Sequence, residues 1–314
     1  MTKGSFSWPN GKRMAVLVGV LLENWAEGKS PTYFTRTTPL KPGAIDHAGA
    51  QWAQYGGREG IWRLLRVLDA CGMHATAFCN ALSAELYPDA ISEIVRSGHD
   101  VAAHGYSQDQ YLSDMTPEQQ RSTIRTCLDI LEQKSGRRPD GWVSAVYGWN
   151  ELTADLLVQE GVRWHADALD VSFPRRQNTT SGTIVALPWC EFVDNRVLRA
   201  SPRDFFDVYK DTFDFLYAQE PMAMLQVAVH SHFGGRPMMS AVFHQVLRYF
   251  QGFPDVWFPR HRELVQWLVD QNVEDLPYAK RFPQAPLPPP GRGPEANSAS
   301  TSPPSSRQAR RRGT

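Results

Sequence analysis

The sequence predicts an α/β fold whose strands run parallel, in one layer or a barrel. Two patterns point there. Strand-like and helix-like segments alternate about seven times, the order expected of a parallel sheet joined by helical crossovers. The first strand, Met14–Leu22, reads MAVLVGVLL. It is apolar throughout rather than at alternate positions, as a strand covered on both faces must be. Sites in such folds gather at the carboxyl ends of the strands.

After the first strand, the polar stretch from Lys29 to Gly57 is too long for a simple connection and predicts an ordered excursion near the site or at an oligomer contact. A helix follows over Gly60–Cys71, with Ile61, Leu64, Leu65 and Leu68 on one face and Gly72 as its stop. Next come strand His74–Cys79, helix Asp89–Ser97 and the short strand Asp100–Ala103, which leads into His104. Thr116-Pro117-Glu118-Gln119 opens a helix with a capping box and proline in its first turn, running to about Ser135. Strand Gly141–Val143, helix Asn150–Glu160 and strands Arg163–Ala166 and Ile184–Leu187 come next. Helix Pro202–Gln219, strand Met224–Val229, helix Ala241–Gln251, strand Val256–Phe258 and helix His261–Asp270 complete the pattern.

The 314 residues divide into a domain over 1–283 and a Pro/Ser/Arg-rich tail over 284–314, too poor in apolar residues to bury a core and so expected to be disordered. Formal net charge is zero, so nothing global argues for a nucleic-acid or membrane partner, and none is expected. No apolar run is long enough to span a bilayer, and MTKGSFSWPNGKRM has no apolar signal core, so the expected location is cytoplasmic. Cys71, Cys79, Cys127 and Cys190 form no CxxC pair and are expected to be buried, reduced thiols.

Candidate chemistry stands at the strand ends: Glu23 and Asn24; His104, Tyr106 and Gln108; His165, Asp167 and Asp170; Trp189 and Glu191; His230 and His232. A hydrolytic site needs a base for water, an acid for a leaving nitrogen and walls for the substrate, and these residue types supply them. An acid such as Glu23 at the end of a buried strand is costly unless paired or functional. Asp167 is a candidate to orient His230 or to contact substrate, with a loop cap as its plain alternative. His99, ahead of its strand, is expected to be structural.

Several ordered blocks resemble the polysaccharide-deacetylase (NodB-homology) family: Tyr55-Gly56-Gly57-Arg58-Glu59-Gly60, Ala75–Phe78, Gly98–Tyr106, Arg138–Trp142, Leu187-Pro188-Trp189, His230 with Gly234-Gly235-Arg236-Pro237, and Val256-Trp257-Phe258. The match is strongest to the branch holding cofactor-independent allantoinases and peptidoglycan-deacetylase-like proteins, whose Asn-aromatic-x-Glu-Gly signature is similar to Asn24–Gly28. The resemblance implies a distorted (β/α) barrel of about seven parallel strands. It implies a hydrolase of non-peptide C–N bonds, often a homo-oligomer, acting on an N-acetylated sugar or a small cyclic amide or ureide. It assigns catalysis to Glu23, His230 and Asp167, with Glu27 as the alternative base, and substrate contacts to Asn24, Tyr106, Trp142, Trp189 and Arg236.

Metal-dependent members hold a divalent ion such as zinc on one carboxylate and two imidazoles, which implies His104 and Glu23 as ligands. The pattern departs here. Leu21-Leu22-Glu23-Asn24 replaces the aspartate pair, Gln108 stands where the second metal histidine belongs, and Ala145 falls where an arginine is expected. A neutral amide is a poor substitute for imidazole on a transition metal, so the expectation is a metal-free or weak-metal hydrolase. The rival is a catalytically degenerate carbohydrate- or ligand-binding protein, which convergence of Glu23, His104 and His230 on one pocket would argue against.

Overall fold

The computed structural model describes residues 7–34, 36, 38–190, 192–220, 222–272 and 278; the predicted tail lies outside them. In chain order the elements are β1 (Met14–Leu22), α1 (His47–Tyr55), α2 (Ile61–Ala70), β2 (Thr76–Cys79), α3 (Ala81–Leu86), α4 (Pro88–Arg96), β3 (Asp100–Ala103), α5 (Pro117–Ser135), β4 (Gly141–Trp142), α6 (Thr153–Gln159), β5 (Trp164–Ala168), β6 (Arg175–Asn178), β7 (Thr183–Pro188), α7 (Pro202–Gln219), β8 (Ala223–His230), α8 (Pro237–Gln251), β9 (Val256–Trp257) and α9 (His261–Asp270).

Among the described residues one sheet holds all these strands in the order β6-β7-β5-β4-β3-β2-β1-β8, with β9 also paired to β1. Every pairing is parallel except β6 with β7. The antiparallel β6 was not anticipated. Its sequence, Arg-Arg-Gln-Asn, offers no apolar period, and it is held as an edge strand by a hairpin to β7. All nine residues of β1 are buried. Met14, Val16, Val18, Val20 and Leu22 pack under the outer helices, while Ala15, Leu17 and Leu21 face an inner cluster with Trp8, Phe78, Trp164, Trp189 and the α9 residues Leu264, Val265 and Leu268. α9 thus packs against the inside of the curled sheet.

The Thr116 capping box forms as expected, and Gly136, at φ 76°, ends α5 in the left-handed conformation. α8 begins at Pro237, four residues ahead of the predicted start. The Lys29–Gly57 excursion contains α1, and one π turn over Gly56–Gly60 joins it to α2. Two glycines there are fixed by close approach. A Cβ on Gly60 would sit 1.8 Å from the Ser231 carbonyl oxygen, and one on Gly235 would sit 2.3 Å from the same oxygen. The Gly-Gly-Arg-Glu-Gly block therefore serves to seat the loop that follows His230.

Candidate active site

Parallel register gathers the site. Leu22 pairs with Cys79, Cys79 with Ala103, and Leu21 with His230. Glu23 and His104, each one residue past its strand, therefore stand level, with His230 beside them at the end of β8. Asn80 ties the ends together: its Oδ1 accepts from the Asn24 N–H at 2.9 Å, and its Nδ2 donates to the His104 carbonyl.

Glu23 Oε1 lies 3.1 Å from His104 Nε2 and 3.5 Å from His230 Nε2, so one carboxylate oxygen is shared by two imidazoles. Both rings are oriented from behind. His104 Nδ1 donates to the Val143 carbonyl at 2.9 Å. His230 Nδ1 donates to Asp194 Oδ1 at 2.5 Å, and Asp194 also accepts the His230 backbone N–H. Each Nε2 is thereby turned towards Glu23.

Burial pushes the Glu23 carboxyl up, but the charge of His230 and the hydrogen bond and charge of His104 outweigh it, holding the group down at about 2. Burial likewise pulls His230 down, and the charges of Glu23 and Asp194 override it, raising His230 to about 9. At neutral pH the site therefore holds a carboxylate base and an imidazolium acid in contact.

These groups line a cleft of about 370 Å³ with Trp25, Tyr33, Gln108, Tyr111, Ser144, Val146, Tyr147, Trp189 and Arg196. Of the residues expected from sequence, Glu23, His104, Gln108, His230 and Trp189 line it. Asp167 does not. It accepts hydrogen bonds from the Ser144 N–H and Oγ–H, both at 2.8 Å, and faces a separate cavity of about 440 Å³ with Trp149, His165 and Arg175. Asp194, fully buried, takes the orienting place expected of Asp167.

Other expected substrate contacts are spent on structure. Asn24 Nδ2 donates to Ser83 Oγ. Trp142 is buried in the core and donates to Ser144 Oγ. The Tyr106 hydroxyl donates to Glu85. Arg236 lies behind the wall, donating to the His232 and Trp52 carbonyls with its guanidinium 4.2 Å from the Tyr55 ring centre. Asp170 is exposed and faces Arg175, and His99 Nδ1 accepts the Ala75 N–H. Glu191 lies outside the described residues. Tyr33, Asp194 and Asn80 went unanticipated. Tyr33 sits in an irregular segment, Asp194 opens a single short 3-10 turn without periodicity, and Asn80 looks like any residue that ends a strand.

A metal requires three donors, and the described residues contain no group of three His, Cys, Asp or Glu side chains arranged to hold one. Glu23 and His104 meet, but the position of a second metal histidine is Gln108, whose buried Nε2 has no hydrogen-bond partner. The donor set does not fit a divalent ion, and no step below is routed through one.

The family model described as polysaccharide deacetylase matches residues 53–165. The chain is 22% identical over 266 residues to a Helicobacter pylori peptidoglycan deacetylase, covering 73% of this chain and 87% of that protein. Among solved structures it is similar to a probable polysaccharide deacetylase from Pseudomonas aeruginosa PAO1, with 26% identity, a TM-score of 0.76 and coverage of 85% of this chain and 95% of that one. It is similar to Puue allantoinase at 27% identity and a TM-score of 0.75, over 83% and 92% of the two chains. With the blocks around Gly56–Gly60 and His104 falling inside the matched segment, the chain is similar to the polysaccharide deacetylase family over that segment and to its solved structures over most of the described fold.

Proposed function

We propose that this protein hydrolyses a non-peptide C–N amide bond by general acid–base chemistry, without a metal ion. The observation that carries this reading is the shared contact of Glu23 Oε1 with two imidazoles, one of them clamped by a buried aspartate. Glu23 takes a proton from water, and the hydroxide adds to the amide carbonyl carbon. His230, protonated until about pH 9, then delivers its Nε2 proton to the nitrogen as the C–N bond breaks. His104 holds Glu23 in place from the other side.

The substrate is a small cyclic amide or ureide, or one N-acetylated sugar unit. A cleft of about 370 Å³ walled by Trp25, Tyr111 and Trp189 has the size and aromatic lining for a single flat or ring-shaped molecule. Likeness to Puue allantoinase favours the ureide, and likeness to the Helicobacter pylori peptidoglycan deacetylase favours the acetylated sugar. A binding protein that had lost its activity would have no need to keep Glu23 against two imidazoles and His230 hydrogen-bonded to Asp194.

The reaction belongs in the cytoplasm on this reading, supported by four unpaired, buried cysteines. Among the described residues no helix is long and apolar enough to cross a membrane. Homo-oligomer formation is part of the same proposal, supported by the exposed apolar side chains of Val146, Trp149, Leu152 and Leu169 on neighbouring loops.

The test is release of ammonia, acetate or a ring-opened acid from a panel of cyclic ureides, imides and N-acetylated sugars, with and without chelator. Turnover that survives chelator and disappears in His230→Ala is expected. Silence across the panel would overturn the reading.

A further inference from the structure

The cleft that holds Glu23 also carries a hydrogen-bonded pair that the acid–base chemistry leaves unused. Tyr33, on the excursion after β1, lines the cleft with its ring centre 6.4 Å from that of His230. Its hydroxyl lies 2.9 Å from His232 Nε2. His232 is fully buried among Trp25, Tyr33 and Trp52, with ring centres 5.0–6.0 Å away, and its Nδ1 has no hydrogen-bond partner.

That arrangement fixes the direction of the bond. Burial, with the neighbouring His230 charge, holds His232 down at about 3, so the ring is neutral and carries one hydrogen. If the hydrogen were on Nδ1, it would be an N–H buried without an acceptor, which folded proteins rarely tolerate. With the hydrogen on Nε2, the donor is satisfied by the Tyr33 oxygen and only a lone pair is left bare. His232 then donates, Tyr33 accepts, and the Tyr33 O–H is left to point into the cleft.

We infer that Tyr33 is a catalytic residue that donates a hydrogen bond to the oxyanion formed when water adds to the amide carbonyl, and that His232 is the positioning residue that aims it. The inference rests on the amide-hydrolase reading above and adds the electrophilic half of the site. As the new C–O bond forms, the carbonyl π pair moves onto oxygen and meets the Tyr33 O–H. As the pair returns, the C–N bond breaks and the nitrogen takes the His230 proton. Tyr33 keeps its own proton throughout. Burial and the charges of Glu23 and Asp194 push its ionisation well above the usual phenol range, so it acts as a neutral donor.

Two measurements test this. Kinetically, Tyr33→Phe is expected to lower kcat about 100-fold with KM within about threefold, the size of losing one oxyanion donor. His232→Leu is expected to fall by about tenfold, with much of that regained in His232→Gln, whose side-chain amide can still donate to Tyr33. An unchanged kcat in Tyr33→Phe, or a change confined to KM, would overturn the assignment. Independently of turnover, the ring ¹⁵N shifts of His232 in the resting protein are expected to report hydrogen on Nε2 and a bare Nδ1. Hydrogen on Nδ1 would make Tyr33 the donor to His232 and refute the inference. An inactive wild type would sink the amide-hydrolase reading, while the ¹⁵N shifts would still decide the Tyr33 geometry.

Discussion

Two buried carboxylates stand at opposite ends of the same sheet, and their partners give them opposite characters. Glu23 follows β1 at the carboxyl end and is 4% exposed; Asp100 opens β3 at the amino end and is 8% exposed. Glu23 faces two imidazoles, of which His230 stays protonated up to about pH 9. Asp100 Oδ1 faces Arg262 at 2.5 Å and Arg260 at 3.4 Å, whose guanidiniums do not lose their protons. Asp100 ties the start of α9 to the sheet: Arg260 also donates to the Gly98 carbonyl, and the Arg262 Nε lies 3.4 Å from Asp140. Burial, with Asp140 and Glu263 nearby, pushes Asp100 up to about 6 against the pull of Arg260, whereas Glu23 is held at about 2. Burial alone therefore does not mark a catalytic acid. The marks are partners that exchange protons, an oriented ring behind them and open space in front.

The sharpest break between the two is a pair of isosteric changes. Glu23→Gln is expected to lower kcat by about 10³-fold or more, because water loses its base. Asp100→Asn is expected to leave kcat within about twofold while lowering Tm by several degrees, because two partly buried guanidiniums lose their buried anion. Equal kinetic losses in the two variants would erase the distinction.

Asp194→Asn comes next, with an expected loss of about 10²-fold in kcat, since a neutral amide neither orients nor charges His230 as a carboxylate does. The same variant is expected to move the alkaline limb of kcat/KM, which in the wild type should lie near pH 9 where His230 loses its proton, towards lower pH. A limb that stays put would detach Asp194 from the acid.

Stability against pH gives a smaller effect. His230 is raised from 6.5 to about 9, so its contribution is fully present below pH 6.5 and is lost as pH rises through about 9. Glu23 is lowered from 4.5 to about 2, so its contribution is present above pH 4.5 and is lost as pH falls through about 2. The pair should therefore stabilise the fold most between pH 4.5 and 6.5, and thermal melts of wild type and of a Glu23→Gln, His230→Asn double variant should differ most in that window. Chelator should produce the smallest effect, with turnover unchanged after dialysis against it.

Much of the fold was legible in the sequence because its signals are local and repeated. The unbroken apolar β1, the Thr116 capping box and the helices at Pro202–Gln219 and His261–Asp270 appear as the pattern dictates. β6 carries no pattern, and its pairing is set by the hairpin to β7. Within the site, Glu23, His104 and His230 could be found because each follows an apolar strand directly. Tyr33, which reaches the cleft from irregular chain, and Asp194, buried behind His230 at the start of a short 3-10 turn, could not, because tertiary contacts set the path of both segments. Trp142 and Arg236 sit beside recognisable blocks, but proximity in sequence says nothing of which way a side chain turns, and both turn away from the cleft.

The most direct test of the central claim is the fate of the oxygen. Protein dialysed against chelator would be given each cyclic ureide and N-acetylated sugar in ¹⁸O-labelled water, and the released carboxylate examined by mass spectrometry. One labelled oxygen per turnover in the wild type, and no release from Glu23→Gln, is the expected result. Release that needs added metal, or that persists in Glu23→Gln, would contradict a metal-independent hydrolysis driven by Glu23.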